Sequence, residues 1–407
     1  MLIHRKSFSL LLLFVVFVSP LLFAQVQWPK LMVYLHNTGH AYLLDPVTDL
    51  IIADLKTVPG GGLGSTTPNG RKVYVGGSAA GQREVVVLDL ALKTVTDRIE
   101  TGNRPKHPLV SPNGQWVGVN HLGLDQGKLR VSFIDVAHQQ VAKQIEFEIE
   151  QRSSKILASM HNAWSWDSQY FFTLDRINRR LIVIDTQDWS IRHCELDSVP
   201  HYIAPRQDGK ELWVVLEGDE TNRPKVVIYN LTLPTLPVIT QLEMPLIGEE
   251  VVQAHHGNFT QDGQYFLMTN RGPDRDPRGR EVAIFDARTK TLVHRITTAS
   301  TGVGHTYNTP DGKYAVVTNY GNNVISIIDL STLSVVKDLI VGSGRMGHIA
   351  FTQDGQYGYV SNHQDGALYK LDMQKFKVIK KIPINGQPGV GQILNVWTNI
   401  FEELPRE

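Results

Sequence analysis

The chain has 407 residues, and its 40 lysines and arginines balance 40 aspartates and glutamates without a basic run, which argues against a dedicated nucleic-acid-binding protein. With 42% hydrophobic residues and 34 glycines, the composition excludes intrinsic disorder, collagen and coiled coil. The single cysteine, Cys194, excludes an internal disulfide and a CxxC metal or redox motif, so the 15 histidines are the main candidates for chemistry.

The N-terminal segment predicts a signal peptide over residues 1–24. His4, Arg5 and Lys6 precede an apolar run that extends from Phe8 to Phe23. Because this run is short for a membrane span, we expect cleavage after residue 24, and an uncleaved anchor is the alternative. No later stretch is long and apolar enough to cross a bilayer. We therefore expect a periplasmic or secreted protein with no membrane span after cleavage.

A short apolar strand that ends in Asp or Asn recurs eight times along the rest of the chain. The repeats lie 43 to 56 residues apart, which is typical of repeat architectures. The strands end at Asp45, Asp89, Asp135, Asp185, Asn230, Asp286, Asp329 and Asp372.

The order of elements within each repeat is constant. A leading strand is followed by a turn such as TPDG (309–312) and a second strand such as YAVVTN (314–319). The Asp-terminated strand comes third, and a Val/Ile-rich strand such as 334–342 closes the repeat. Period-2 alternation and Asp-Gly turns indicate antiparallel hairpins. Four-stranded sheets repeated around an axis form a β-propeller.

The two ends of the repeat region complement each other. The first repeat begins at Leu31 with its second strand, and GQILNV (391–396) resembles the missing leading strand. Pairing these segments closes the ring and removes unpaired sheet edges. We therefore predict an all-β, eight-bladed β-propeller over residues 31–399, closed by the C-terminal strand and followed by a tail at 400–407. A seven-bladed propeller is the alternative, but it leaves one Asp-terminated strand unexplained.

Histidine recurs at one position, seven residues before the end of the turn, at the start of the innermost strand. His201 is one residue further from Gly209, a difference that we attribute to a longer turn. Gln392 takes this position in the closing strand, and the second repeat offers only Gly62 or Leu63. Because the innermost strands surround the channel, the side chains are expected to converge at its mouth. The predicted metal ligands are His107, His161, His201, His256, His305 and His348.

Two interpretations of this ring stay open. A repeated histidine can repeat a structural hydrogen bond to the backbone of a neighbouring blade. Alternatively, neutral imidazoles are common ligands for zinc and copper. The replacement of histidine by Gln392 and Leu63 favours ligand binding, because a structural histidine would be expected in all eight units.

Further residues are predicted near the ring. Arg104 and Arg345 each precede a ring histidine by three residues and are predicted, with Gln392, to bind a cofactor, the arginines through an anionic group. His255 and His256 are adjacent, so their side chains point to opposite faces of the strand unless a β-bulge intervenes. We expect His255 to pack sideways or to hydrogen-bond a neighbouring blade.

The strands YAVVTN (314–319) and YGYVSN (357–362) resemble the YVTN-type propeller repeat, and this resemblance covers nearly the whole mature chain. With eight blades, predicted export and channel histidines, the chain is most similar to the haem-binding propeller domain of cytochrome-cd-type nitrite reductase. That resemblance implies a tetrapyrrole on the top face of the propeller, with histidines beside it. The absence of a CxxCH site excludes the complete reductase. The multi-histidine copper propeller of nitrous oxide reductase is a second, partial resemblance.

The sequence therefore predicts an exported propeller that binds copper, zinc or a haem-type tetrapyrrole through its histidine ring. If the protein is an enzyme, the expected class is a metal- or haem-dependent oxidoreductase. The alternatives are a non-catalytic periplasmic carrier, which holds a metal or cofactor for a protein partner, and a scaffold for protein interactions in which the histidines are structural.

Overall fold

The computed structural model describes residues 31–150, 157–244, 252–273, 276–384, 386–389 and 391–396. These residues form eight four-stranded antiparallel sheets and no α-helix. None of them forms a helix that is long and apolar enough to span a membrane. The prediction of an eight-bladed propeller is confirmed, and the seven-bladed alternative is wrong. The predicted signal peptide and the tail at 400–407 lie outside the described residues.

The propeller is built from 32 strands. The first sixteen are β1 (Met32–His36), β2 (His40–Asp45), β3 (Leu50–Lys56), β4 (Gly64–Thr66), β5 (Lys72–Gly76), β6 (Glu84–Asp89), β7 (Thr94–Glu100), β8 (Pro105–Val110), β9 (Trp116–His121), β10 (Leu129–Asp135), β11 (Gln140–Phe147), β12 (Asn162–Trp164), β13 (Tyr170–Asp175), β14 (Arg180–Asp185), β15 (Ile191–Glu195) and β16 (Pro200–Pro205). The others are β17 (Glu211–Leu216), β18 (Lys225–Asn230), β19 (Val238–Glu243), β20 (Ala254–Phe259), β21 (Tyr265–Asn270), β22 (Glu281–Asp286), β23 (Thr291–Thr297), β24 (Val303–Asn308), β25 (Tyr314–Asn319), β26 (Val324–Asp329), β27 (Ser334–Ile340), β28 (Met346–Phe351), β29 (Tyr357–Asn362), β30 (Ala367–Asp372), β31 (Lys377–Pro383) and β32 (Ile393–Asn395).

Blades 2 to 8 each contain four consecutive strands, beginning with β4–β7 and ending with β28–β31. The second and third strands are buried on both faces because a neighbouring blade covers each side. The outermost strand, such as β3, alternates between exposed and partly buried residues. This difference explains why the inner strands are continuous apolar runs and the outer strands carry charges.

The recurrent Asp has a local structural role at the turn into the fourth strand. Oδ1 of Asp45 accepts a hydrogen bond from the backbone N–H of Val47 at 2.8 Å. Oδ1 of Asp329 accepts the equivalent bond from Ser331, also at 2.8 Å. Because an Asp side chain can replace a backbone acceptor in this way, it favours a tight turn. The recurrent Asp that predicts the fold therefore marks the same hydrogen-bonded turn in different blades.

Blade 1 closes the ring with strands from both ends of the described chain. β32 pairs antiparallel with β1, and Tyr34 lies opposite Ile393. Oε1 of Gln392 accepts a hydrogen bond from the backbone N–H of Gly64 in blade 2 at 2.9 Å. The predicted closure by the C-terminal strand is confirmed.

The closing strand should contribute strongly to stability. Leu394 is fully buried in the core between blades 1 and 2. Leu394→Ala is expected to lower the free energy of unfolding by about 2–5 kcal/mol, because it removes buried methyl groups and leaves a cavity. Leu292→Ala on the outer strand β23 is the matched control, since Leu292 is 44% exposed. Urea denaturation measures both, and equal small losses would show that the closing strand is dispensable.

Candidate functional site at the channel mouth

β-Bulges shape the start of the innermost strands. The pairing register shifts between Pro105 and His107 in blade 3, and between Ala254 and Gly257 in blade 6. Similar shifts occur in blades 5, 7 and 8. A bulge inserts an extra residue and re-aims its side chain, so two successive side chains can reach the mouth.

The mouth is therefore lined by two sets of residues. We call the set that follows the predicted spacing the register tier and the set immediately before it the bulge tier. The register tier consists of His107, His161, Tyr202, His256, His305 and His348. The bulge tier consists of Lys106, His201, His255, Gly304 and Gly347, with Met160 at the same offset in blade 4, where the pairing shows no register shift.

The predicted alignment of His201 with the other histidines is wrong. Tyr202 pairs with the second strand at the position that His305 takes in blade 7. The turn at 206–209 has the same backbone hydrogen bonds as the turn at 309–312, so it is not one residue longer. The extra residue lies in the bulge instead, which places His201 beside His255 in the bulge tier.

The six predicted histidines nevertheless converge. Ring centroids are 4.1 Å apart for His256 and His305, 4.8 Å for His305 and His348, and 4.6 Å for His161 and His256. His201 lies 5.4 Å from His161 and 5.5 Å from His256. At 6.3 Å from His161, His107 extends the cluster on one side. All six are buried, the most exposed at 8%.

Several imidazole nitrogens at the mouth have no partner within the part of the chain that the structure describes. They are Nδ1 of His161, Nε2 of His201, Nδ1 of His256 and Nδ1 of His305. One ligand atom from each of His161, His201 and His256 lies within 4.8 Å of the other two. Buried polar atoms without partners are unusual and favour a bound guest at this position. The convergent nitrogens therefore suit a metal ion or a metal-containing cofactor.

Electrostatics keep these imidazoles neutral. Burial lowers the pKa values of His161, His201, His256 and His305 well below the usual value of 6.5, and neighbouring positive charges add to the effect. Burial and the nearby Lys106 lower the pKa of His348 to about 4. Neutral imidazole is the form that binds metals, so the ring is ready for a ligand role near neutral pH.

Lys106 was not predicted as a site residue. Its side chain is partly buried, and Nζ lies 3.5 Å from Sδ of Met160 in the next blade. Burial, with the positive charges of Arg176 and Arg271, lowers the pKa of Lys106 to about 7. The sequence signal was available, because Lys106 stands eight residues before its turn glycine, as His201 and His255 do.

The structural interpretation holds for His255. Nδ1 of His255 donates a hydrogen bond to the carbonyl oxygen of Gly304 in blade 7 at 2.9 Å, as predicted. The bulge also brings the ring of His255 to 4.2 Å from that of His201. His255 therefore packs within the cluster while it links two blades.

The three predicted cofactor-binding residues occupy different environments. Nε of Arg104 donates to the carbonyl oxygen of Ser78 at 3.0 Å, so this guanidinium ties two loops together. Arg345 is half-buried immediately before β28. Gln392 is fully buried, and its Nε2 has no partner among the described residues.

A family model described as Cytochrome D1 heme domain matches residues 126–320. The matched segment contains His161, His201, His256 and His305. The chain is similar to the cytochrome D1 haem domain. The resemblance predicted from the repeat and the histidines is confirmed. Comparison with curated proteins gives no significant match.

Solved structures with the same architecture include enzymes and a propeller domain. "Dihydro-heme d1 dehydrogenase NirN in complex with DHE" has a TM-score of 0.71 and 19% identity, over 91% of this chain and 75% of that chain. Kuenenia stuttgartiensis hydrazine synthase has a TM-score of 0.58 and 17% identity, over 77% and 96%. The Myceliophteria thermophila Cps50 (Swd1) β-propeller domain has a TM-score of 0.50 and 14% identity, over 70% and 87%. At these identities the likeness establishes the fold.

Proposed function

We propose that this propeller binds a haem-type metallo-tetrapyrrole at the channel mouth through its histidine ring. The observation that carries the proposal is the cluster of buried, neutral imidazoles with unpartnered nitrogens, four of which belong to the segment similar to the cytochrome D1 haem domain. When bound, such a group would supply a metal centre. The ring residues would hold it, and the buried mouth would exclude water.

The packing of the ring limits how the guest makes contact. Because neighbouring imidazoles are only 4.1 to 4.8 Å apart, no macrocycle fits between them. A planar guest would therefore contact the ring from the face of the propeller. Arg345 and Lys106 are partly exposed near this face and would attract the anionic substituents of a tetrapyrrole.

Three related features belong to the proposal. The solved structure titled as a dihydro-heme d1 dehydrogenase supports a tetrapyrrole as the guest class. A redox-active guest would make oxidoreduction the reaction class. The pattern of residues 1–24 supports export, with activity in the periplasm or outside the cell.

A bare copper or zinc ion is the second candidate guest. The approach of His161, His201 and His256 within 4.8 Å favours it, because three imidazoles are a common ligand set for zinc. Under this alternative the propeller would be a metal carrier for a protein partner.

Titration of the purified, mature protein with haemin, followed by absorption spectroscopy, tests the proposal. We expect a shifted Soret band, a 1:1 end point and a Kd below about 10 μM. Elemental analysis of the same preparation measures retained metal. If zinc or copper is retained after dialysis and haemin does not bind, the guest is a metal ion and not a tetrapyrrole. If the protein binds neither haemin nor a metal ion, the remaining interpretation is a scaffold for protein interactions.

A further inference from the structure

Glu217 distinguishes His201 from its neighbours at the mouth. Oε1 of Glu217 is hydrogen-bonded to Nδ1 of His201, and the guanidinium of Arg176 donates to the same oxygen at 2.7 Å. The three side chains are buried, with exposures of 8% for Glu217, 1% for His201 and 7% for Arg176. At the other side of the ring, Nε2 of His201 has no partner among the described residues. The imidazole therefore joins a buried carboxylate to the channel mouth.

The carboxylate determines which nitrogen of His201 carries the proton. An ionised carboxylate can only accept hydrogen bonds, so Nδ1 of His201 has to donate. The neutral ring then keeps its lone pair on Nε2, the atom that faces away from Glu217. In metal sites, carboxylate–histidine pairs of this kind fix the ring orientation and raise the basicity of the ligand nitrogen.

Burial raises the pKa of Glu217, and a polar network around the carboxylate opposes this effect. Besides its bond to Glu217, Arg176 donates from Nε to the carbonyl oxygen of Pro200 at 3.0 Å, which holds the guanidinium in place. Nε2 of Gln253 donates to Oε2 of Glu217 at 3.3 Å, and Arg271 donates to Oε1 of Gln253 at 2.9 Å. Two arginines thus surround one carboxylate, which favours its charged form.

Nε2 of His201 lies at the tip of the ring and is fully buried. One ligand atom of His201 lies within 4.8 Å of those of His161 and His256, so this histidine belongs to a group of three that could hold a metal ion.

We propose that Glu217 is a positioning residue that holds the proton of His201 on Nδ1, so that Nε2 of His201 is the ligand to the metal centre of the bound tetrapyrrole. This assignment rests on the proposed function. It concerns the roles of two residues of this chain, and its first test needs no guest.

Nitrogen-15 NMR of the guest-free protein reports the tautomer of His201, with His201→Ala used to assign its signals. We expect the proton on Nδ1 in the native protein and a tautomer mixture in Glu217→Gln, because an amide can either donate or accept. Asp175→Asn is the matched control, since Asp175 is a buried carboxylate at the end of the second strand of the adjacent blade and bonds Asn178. A native proton on Nε2 overturns the assignment.

Haemin titration of the same proteins provides the second test. Glu217→Gln is expected to weaken haemin binding by about 10–100-fold, as for other residues that orient metal ligands. His201→Ala is expected to lose the native spectrum and to regain it when free imidazole is added. Haemin binding that is unchanged in His201→Ala or in Glu217→Gln overturns this assignment alone. Absence of haemin binding by the native protein overturns the proposed function together with it.

Discussion

The double substitution His256→Ala/His305→Ala is expected to weaken haemin binding by about 100-fold or more, equivalent to about 2.7 kcal/mol. The two rings are 4.1 Å apart near the centre of the cluster, and each has an unpartnered Nδ1. Without these two imidazoles, the guest loses two polar contacts and the packing surface at the centre of the cluster. Absorption titration at neutral pH measures the change in affinity.

The guest-free double variant should remain folded. Each unpartnered buried nitrogen costs about 1–3 kcal/mol, which offsets much of the packing that alanine removes. His256→Gln/His305→Gln provides a second variant that preserves side-chain volume, because glutamine already occupies this position at residue 392. Thermal unfolding without guest checks both variants.

A second pair of histidines supplies the control for the ring variant. His138→Ala/His294→Ala removes two imidazoles that lie on the outside of blades 3 and 6, where both residues are exposed. This control should bind haemin like the native protein. If the ring variant also binds within about threefold of the native protein, the histidine ring is not the binding site.

Lowering the pH from 7 to 5 is expected to destabilise the guest-free protein. Burial lowers the pKa of His121 to about 4, and burial with nearby His40 and His363 lowers that of His36 to about 4. The usual histidine pKa is 6.5, so between pH 6.5 and 4 the unfolded chain binds protons that the folded chain does not. Stability is therefore full above pH 6.5 and falls with decreasing pH, by about 2 kcal/mol per histidine at pH 5. The buried ring histidines add to this loss in the same direction.

The free energy of unfolding in urea at pH 7 and pH 5 measures this effect. His121→Asn is an informative variant, because Asn270, Asn319 and Asn362 occupy the corresponding position in other blades. His121→Asn should lose about 2 kcal/mol less than the native protein between the two pH values. Equal stability of the native protein at pH 7 and pH 5 would contradict the buried, neutral state of these histidines.

The fold was predictable from the sequence because its signals are local and repeated. Asp45 and Asp329 mark the same turn in different blades, and the turns at 111–114 and 309–312 mark the preceding hairpin. Closure was predictable because the segment at 391–396 has the pattern of the strand that blade 1 lacks. Each of these features depends on a few neighbouring residues, so the pattern specifies the structure directly.

The site was predictable only in part, because β-bulges are set by tertiary packing. Spacing from the turn identified the histidines that converge, yet it placed His201 in the wrong register. The bulges also bring Lys106 and His255 to the mouth, where simple alternation would direct one residue of each adjacent pair away. The hydrogen bond between His201 and Glu217 joins a residue of β16 to the residue that follows β17, and neither segment alone contains a signal for it.

Pairing of β1 with β32 has a consequence for the order of biogenesis. Blade 1 cannot be completed until residues 391–396 have been synthesised, because they supply its innermost strand. Before that point the growing polypeptide is an open arc of blades, and long-range pairing of this kind forms slowly. The ring histidines of blades 3 to 8 reach their final spacing only when the propeller closes. The proposed tetrapyrrole is therefore expected to bind only after residues 391–396 have been synthesised and paired with β1.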